Sequence, residues 1–369
     1  MIRILQCVNI MDRAGLETML MNYYRNIDRT QIQFDFLTHR PNKGAYDDEI
    51  ESLGGKVYHA PRLYPQNYPT YFKWMANFFR EHPEYKIVHS HIDSMSYLPL
   101  LAAKKARVPV RIAHSHNTRI QFDLKYIIKQ YFRLNINRVC NYRFACGQQA
   151  GKHLFGNCEF KVIPNAIDAE EFYYSDSIRK QKKKELSLNS EFVVGHVGRF
   201  TQQKNHKFLI ETFDELLNIE PNSTLLLVGV GEKEEEVRKQ IHKLGIDEKV
   251  RFLGNRSDVN ELYQAMDVFV MPSFFEGIPV VGVEAQFADL PCVFSDKVPQ
   301  EVQFNKKCEF LSLKSNTRYW ANKIFAFRNC VRVRNEDLRN NKYNIKNSSE
   351  YLMDIYKKMF DCEENSNAK

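Results

Sequence analysis

The stretch SFFEGIPVVGVEAQF, residues 273–287, decides how the chain is read. It closes a short β-rich run, VFVMPS (268–273), and opens what reads as a helix. Strand, loop and helix in that order form one unit of a parallel α/β sheet. Pro279 suits the first helical position, where its missing N–H costs nothing. The N–H groups left free at a helix start, with the helix dipole, favour an anion such as a phosphate. Gly277 lets a ligand approach the backbone closely. Glu276 falls in the loop, and Glu284 lies about a turn and a half into the helix.

A carboxylate aimed at a phosphate would repel it. The two glutamates are therefore expected to accept hydrogen bonds from hydroxyls. A nucleotide sugar carries two sets of these, the sugar ring hydroxyls and the ribose diol. Glu276 and Glu284 would take one set each, with the diphosphate between them at the helix start.

The same alternation runs outward on both sides. Upstream and downstream lie FVVGHVG (192–198), TLLLVGVG (224–231), VRFLG (250–254), PCVFS (291–295) and EFLSL (309–313). Helical patterns fit near 204–219, 232–244, 257–266, 279–288 and 317–328. The first half repeats the theme with strands at 3–9, 34–38, 56–60, 86–91, 110–116, 142–147 and 161–165. Helices there are expected near 16–27, 45–53, 69–81, 95–106 and 119–138. Residues 168–190 are polar and charged with no apolar strand, which reads as a linker. The expected architecture is α/β, with two doubly wound parallel-sheet domains. The boundaries are 1–168 for the first domain, 169–190 for the linker and 191–345 for the second. Residues 346–369 form a helix and tail packing back on the first domain. In such sheets ligands bind at the carboxyl ends of strands, so a cleft between facing domains is the expected site.

Strand ends supply further candidates. Strand 192–198 runs into GRFTQQKN, which sets Arg199 and Lys204 across a loop after Gly198. Two fixed cations suit a diphosphate, one by a forked contact and one as a point charge. Two solvated surface cations are the bland alternative. Gly229 and Gly231 end the next strand, as a ligand loop or as a plain turn. Gly254 and Asn255 could offer backbone groups to a base edge, or simply make a tight turn. In the first half VHSHID (88–93) and AHSHNT (113–118) bring His89, His91, His114 and His116 to strand ends. A His-x-His pair raises the idea of a metal, but no carboxylate or cysteine falls at a matching spacing, so no metal is expected. A single catalytic or hydroxyl-binding histidine, His114 or His116, is the favoured reading. At least two of the four would be structural.

Bulk composition narrows the class. The chain has 369 residues, 43% apolar and 27% charged, enough for two domains with their own cores. No apolar run approaches the roughly 18 residues that span a bilayer. MIRILQCVNIMDRAG reads as a first strand rather than a signal peptide, which places the chain in the cytoplasm. The 8 cysteines are scattered, without a CxxC pair, and read as buried small hydrophobes. The net charge is +8, and its distribution is uneven. Between residues 104 and 152 stand Lys104, Lys105, Arg107, Arg111, Arg119, Lys125, Lys129, Arg133, Arg138, Arg143 and Lys152, against Asp123 as the only acid. Such a stretch suggests an anionic partner. Residues 119–138 read as a basic amphipathic helix, with Leu124, Ile128, Tyr131 and Leu134 on one side and Lys125, Lys129, Arg133 and Arg138 near the other. A helix of that kind can lie on an anionic membrane surface. No nucleic-acid module or aromatic stacking platform is recognised.

Taken together these pieces resemble the retaining glycosyltransferases of family 4, the glycosyl transferases group 1, with their GT-B architecture. FEGIPVVGVEA matches the family's E-x7-E motif, DRAGLETML (12–20) its amino-terminal glycine loop and IPNAID (163–168) its hinge. VGRFTQQKN, FLGNRSDV and MDVFVMPS match in order as well. EFLSLKSNTRYWANKI (309–324) looks closest to capsular and exopolysaccharide members. The chain departs from the pattern in having Ala14 before Gly15, where two glycines are frequent, and Ala166 at the hinge.

The resemblance implies that Arg199 and Lys204 hold the donor diphosphate, Glu284 the ribose and Glu276 the donor sugar. Backbone near Gly277, Ile278, Pro279 and Val280 would assist at the phosphate. The loop at Gly15 would approach donor phosphates or acceptor, and His114 or His116 the anomeric region. It implies transfer from a nucleotide sugar, UDP-linked by default, to a lipid-linked saccharide. Transfer would proceed with retention and without a metal or other cofactor, by an enzyme peripheral to the inner face of the membrane. Two other readings stand beside it. A sugar-nucleotide epimerase would turn over without acceptor, and a non-catalytic membrane scaffold would have no need of Arg199, Lys204, Glu276 and Glu284 together. A phosphorylase would need a lysine-bound pyridoxal site and a much longer chain.

Overall fold

A computed structural model describes residues 1–118, 125–188 and 191–367. The chain divides into two compact units. The first comprises Met1–Ala166 with Lys342–Lys369, and the second Ile167–Asn341. The division falls inside the IPNAID segment, between Ala166 and Ile167.

The strands of the first unit are Ile2–Cys7 (β1), Ile32–Thr38 (β2), Val57–His59 (β3), Ile87–Ser90 (β4), Val110–Ser115 (β5), Tyr142–Ala145 (β6) and Lys161–Val162 (β7). All pair in parallel, in the order β3-β2-β1-β4-β5-β6-β7. The second unit has Phe192–Val197 (β8), Ser223–Val228 (β9), Val250–Gly254 (β10), Val268–Met271 (β11), Cys292–Ser295 (β12) and Cys308–Leu311 (β13), in the parallel order β10-β9-β8-β11-β12-β13. Both sheets reverse their winding at the centre, between β1 and β4 and between β8 and β11.

These are strands because they are short, branched and apolar on both faces, as a sheet covered on both sides requires. In β1 the two-residue period sends Ile4 to one core and Leu5 and Cys7 to the other. The first core also takes Phe34, Phe36 and the carboxy-terminal helix Ile345–Asn367, whose Leu352, Tyr356 and Met359 are buried in it. The second unit closes over Phe192, Val194, Leu225, Leu227, Val268 and Val270.

Two segments differ from the sequence reading. Residues 169–190 belong to the second unit, and carry a helix over Asp176–Glu185. It is held by charge rather than by an apolar stripe. Arg179 pairs with Asp267 at 2.5 Å, and Lys182 with Asp258 and Glu261 at 2.8 and 2.7 Å. A helix over Gln148–Phe155 was not foreseen.

The basic helix is shorter than expected, Tyr126–Asn135, and Arg119, Asp123 and Leu124 lie outside the described residues. Its faces are also assigned differently. Ile128 and Phe132 pack inward. Ile127, Tyr131 and Leu134 are exposed, at 83%, 58% and 70%. Several basic side chains of this region are tied to the protein. Lys104 donates to the Arg138 carbonyl, Arg111 to Val139 and Val108, and Arg133 to His153. None of the described helices is long and apolar enough to cross a membrane.

Candidate active site

In a doubly wound sheet the ligand crevice lies beyond the carboxyl ends of the strands where the order reverses. In the second unit those ends belong to β8 and β11. The loops that follow them carry the predicted residues. The β8 loop turns at Gly198 and runs to Asn205, which takes a left-handed conformation (φ 56°) before the helix His206–Leu217. The β11 loop runs from Pro272 to Pro279. The two loops are stitched together. Asn205 Nδ2 donates to the Pro272 carbonyl at 3.1 Å, and Phe274 N to the Gln203 carbonyl at 2.8 Å.

Across this seam Lys204 Nζ donates to Glu276 Oε1 at 2.8 Å, and Gln203 Nε2 to Glu276 Oε2 at 3.2 Å. The pair is largely shielded from solvent, with side-chain exposures of 15% and 7%. Its geometry fixes the carboxylate: both oxygens are held by the β8 loop, and the lysine charge stands at the strand end. Arg199 differs. It is exposed, and among the described residues its guanidinium has no hydrogen-bond or ion-pair partner. Lys204 is thus tied to Glu276 with its charge held at the strand end, and Arg199 has no partner there among the described residues.

The helix after the β11 loop runs over Val280–Phe287. Pro279 is its capping residue, with φ −74° and ψ 116°, and Val280 takes the first helical position expected for Pro279. The amides of Gly282 and Val283 donate to the Pro279 carbonyl at 3.0 and 3.2 Å. Those of Val280 and Val281 have no partner among the described residues. Such a terminus attracts negative charge. Ile278 is buried beside it and Gly277 half-buried. Glu284 is half-buried on this helix and accepts a hydrogen bond from the Tyr263 hydroxyl at 2.9 Å. Burial pushes its carboxyl up to about 7, against the lowering effect of that hydrogen bond.

The glycines divide. Gly229 has φ +132°, and a Cβ there would lie 2.2 Å from the Gly198 carbonyl oxygen. At Gly231 a Cβ would lie 2.5 Å from the Phe200 carbonyl oxygen. These two glycines let the β9 loop press against the backbone that carries Arg199, which explains them without a ligand. Gly254 has φ +65° with open space where a Cβ would sit, and Asn255 beside it is exposed. Gly15 opens the helix Gly15–Asn26, exposed and with open space around it.

The first unit gathers all four histidines at the strand ends next to its own reversal point. His89 and His91 come from the end of β4 and His114 and His116 from the end of β5. Their rings are in contact, with centroids 4.0 Å apart for the tilted pair His89–His91 and 4.1 Å for the stacked pair His114–His116. His89 Nε2 lies 3.1 Å from His114 Nδ1, and His91 Nδ1 lies 3.1 Å from His116 Nε2. Gln6 Oε1 is 2.8 Å from His91 Nε2, and the Tyr356 hydroxyl is 2.6 Å from His89 Nδ1. Burial and the neighbouring imidazoles hold His89, His91 and His114 well below the usual histidine range, and burial takes His116 down to about 3. All four are neutral at neutral pH. Ring nitrogens of His89, His91 and His114 lie within 4.8 Å of one another, the spacing of a metal cluster. His89 and His91, however, already use both nitrogens on neighbours.

Gln203, Tyr263, Gln6 and Tyr356 escaped the sequence reading. Gln203 lies inside the GRFTQQKN motif, so its position was visible though its partner was not. Nothing local marks the other three, whose partners come from distant strands and helices.

Residues 13–171 match the family model described as Glycosyltransferase Family 4, and residues 177–341 the model described as Glycosyl transferases group 1. EpsF of Bacillus subtilis (strain 168), a glycosyltransferase by name, is 37% identical over 340 residues, covering 87% of this chain and 86% of that protein. The UDP-Gal:alpha-D-GlcNAc-diphosphoundecaprenol alpha-1,3-galactosyltransferase of Escherichia coli is 30% identical over 225 residues, 58% of each chain. Among solved structures, Anabaena HepE in complex with UDP-glucose superposes with a TM-score of 0.74 at 21% identity, covering 99% of this chain and 100% of that one. The two parallel sheets are thus a GT-B pair of Rossmann-like folds. The chain belongs to the glycosyl transferases group 1, the family 4 glycosyltransferases.

Proposed function

We propose that the chain moves a hexose or N-acetylhexosamine from a UDP-sugar to a lipid-linked saccharide in capsular or exopolysaccharide assembly, with retention at the anomeric carbon. The observation that carries this reading is the seam at β8 and β11. A fixed Lys204–Glu276 pair, an unpaired Arg199 and the open amides of Val280 and Val281 meet there, with Glu284 on the helix that follows. Transfer breaks the bond between the anomeric carbon and the diphosphate and leaves negative charge on the nucleotide. Arg199, Lys204 and the helix dipole supply positive charge for that group, so no divalent metal is required of the site. Glu276, with both oxygens anchored, accepts from sugar hydroxyls, and Glu284 accepts from the ribose. The backbone at Gly277, Ile278, Pro279 and Val280 borders the phosphate. A first-domain histidine, neutral at working pH, meets the reacting sugar. The E. coli relative's name supports the UDP donor and the lipid-linked acceptor.

The test is a donor screen with UDP-glucose, UDP-galactose, UDP-GlcNAc and GDP-mannose over extracted lipid acceptor, with and without EDTA. Acceptor-dependent release of UDP from one donor, unchanged by EDTA, supports the reading. Conversion of a donor to its epimer without acceptor and without net UDP release would point to an epimerase. No release and no nucleotide binding in calorimetry would leave the scaffold.

The lipid acceptor implies work at the inner membrane face. The outward side of Tyr126–Asn135 supports this, because Ile127, Tyr131 and Leu134 expose an apolar row on a basic stretch. Flotation with phosphatidylglycerol vesicles should fall when all three are changed to serine. Unchanged flotation would remove this helix from the membrane reading.

A further inference from the structure

Hydrogen-bond polarity around the four histidines can be followed from one amide. Gln6, on β1, turns its oxygen to His91 Nε2 at 2.8 Å and its nitrogen to the Tyr356 hydroxyl at 3.4 Å. An amide oxygen only accepts, so His91 carries its proton on Nε2. His91 Nδ1 is then a lone pair, and it accepts the Nε2–H of His116 at 3.1 Å. That leaves His116 with a bare Nδ1. On the other branch the Tyr356 oxygen accepts from Gln6, so its single proton goes to His89 Nδ1 at 2.6 Å. His89 Nε2–H donates to His114 Nδ1 at 3.1 Å. That leaves His114 with an N–H on Nε2, which is buried without a partner.

Position adds to polarity. His89, His91 and His114 are about 1% exposed, whereas His116 is half-buried. The backbone N–H of His116 is held by the Asp93 carboxylate at 2.8 Å, and Asn117 Nδ2 by the same group at 2.6 Å. The His114 and His116 rings stack at 4.1 Å, so the buried end of one branch backs onto the half-buried end of the other.

We propose that Gln6 is a positioning residue that sets the tautomers of all four histidines, so that His116, the least buried of them, presents a lone pair on Nδ1 to a hydroxyl of the sugar substrate. A sugar hydroxyl can donate to such a lone pair. Tyr356, from the carboxy-terminal helix, closes the second branch. The inference rests on the reading that a first-domain histidine meets the sugar.

The experiment is ¹⁵N NMR of the full chain labelled at histidine, with UDP release from the donor as a second readout. In the wild type His116 should be protonated on Nε2 and bare on Nδ1. Gln6→Glu should keep that tautomer, because a carboxylate still accepts from His91. Gln6→Leu should give mixed tautomers and lower kcat about tenfold with little change in the donor KM. A packing role alone predicts the reverse order, with the apolar leucine tolerated and a buried glutamate not. Three results would overturn the inference: His116 protonated on Nδ1 in the wild type, unaltered tautomers and kcat in Gln6→Leu, or Gln6→Glu no better than Gln6→Leu. His116→Ala separates the two levels. If it retains full kcat, the histidine reading itself fails and the inference with it. If it loses kcat while Gln6→Leu behaves as wild type, only the inference fails.

Discussion

Arg199 and Lys204 occupy one loop, yet removing each should have a different consequence. Arg199 is exposed with no partner among the described residues, so Arg199→Ala should leave the melting temperature nearly unchanged. Its effect should fall on catalysis, with kcat lower by about 10²–10³-fold if it stabilises the departing diphosphate. Lys204 holds the shielded Glu276 carboxylate. Lys204→Ala should cost the fold about 3 kcal/mol as well as activity, because it strands a buried charge. Thermal melting beside steady-state kinetics checks both. Equal losses of stability would contradict the division of roles.

Glu284 adds a pH signature. Desolvation on this helix pushes its carboxyl up to about 7. A ligand that needs the carboxylate as acceptor binds fully above that pH and more weakly below it. UDP affinity should therefore fall as pH drops below about 7, by at most about tenfold per pH unit, and Glu284→Gln should flatten the profile. Calorimetry between pH 5.5 and 8 measures it, and a wild-type affinity that does not change with pH would remove Glu284 from the ribose. Both glutamates and both cations were legible from their spacing to strand ends. Their pairing was not, since Lys204 and Glu276 lie 72 residues apart and only the β8–β11 adjacency joins them.

At the scale of elements, the strands were readable because each is a short apolar run closed by a polar turn. The helices that were missed lack that contrast. Gln148–Phe155 carries Gly151 in its middle, which weakens any helical pattern. The glycine is there because a Cβ would meet the Phe160 ring at 2.2 Å. Asp176–Glu185 has no apolar stripe to detect, since it docks through Arg179 and Lys182. The strand-end glycines make a sharper test. Gly229→Ala should destabilise by about 1–3 kcal/mol and weaken donor binding, because its Cβ would push into the Gly198 backbone that places Arg199. Gly254→Ala, in open space, should cost only about 1 kcal/mol for its left-handed backbone. Equal effects on melting and UDP binding would show that Gly229 is not pinned by this contact.

At the scale of the molecule, two sheets of the same winding carry different chemistry at their reversal points. The first holds neutral imidazoles hydrogen-bonded in series, and the second holds fixed charges and a helix terminus. The tandem arrangement was legible because strand–helix alternation repeats on both sides of IPNAID. The histidine network was only half legible. The His-x-His spacing announced it, but Gln6 and Tyr356 are 350 residues apart and meet only when the last helix enters the first core. On the proposed function, the seam between the β8 and β11 loops receives the donor's diphosphate. The most direct measurement is a crystal structure of this chain with UDP. Phosphate oxygens should lie within hydrogen-bond reach of Arg199, Lys204 and the amides of Val280 and Val281, with the ribose diol on Glu284. UDP bound away from these residues, or with Glu284 still occupied only by Tyr263, would contradict it.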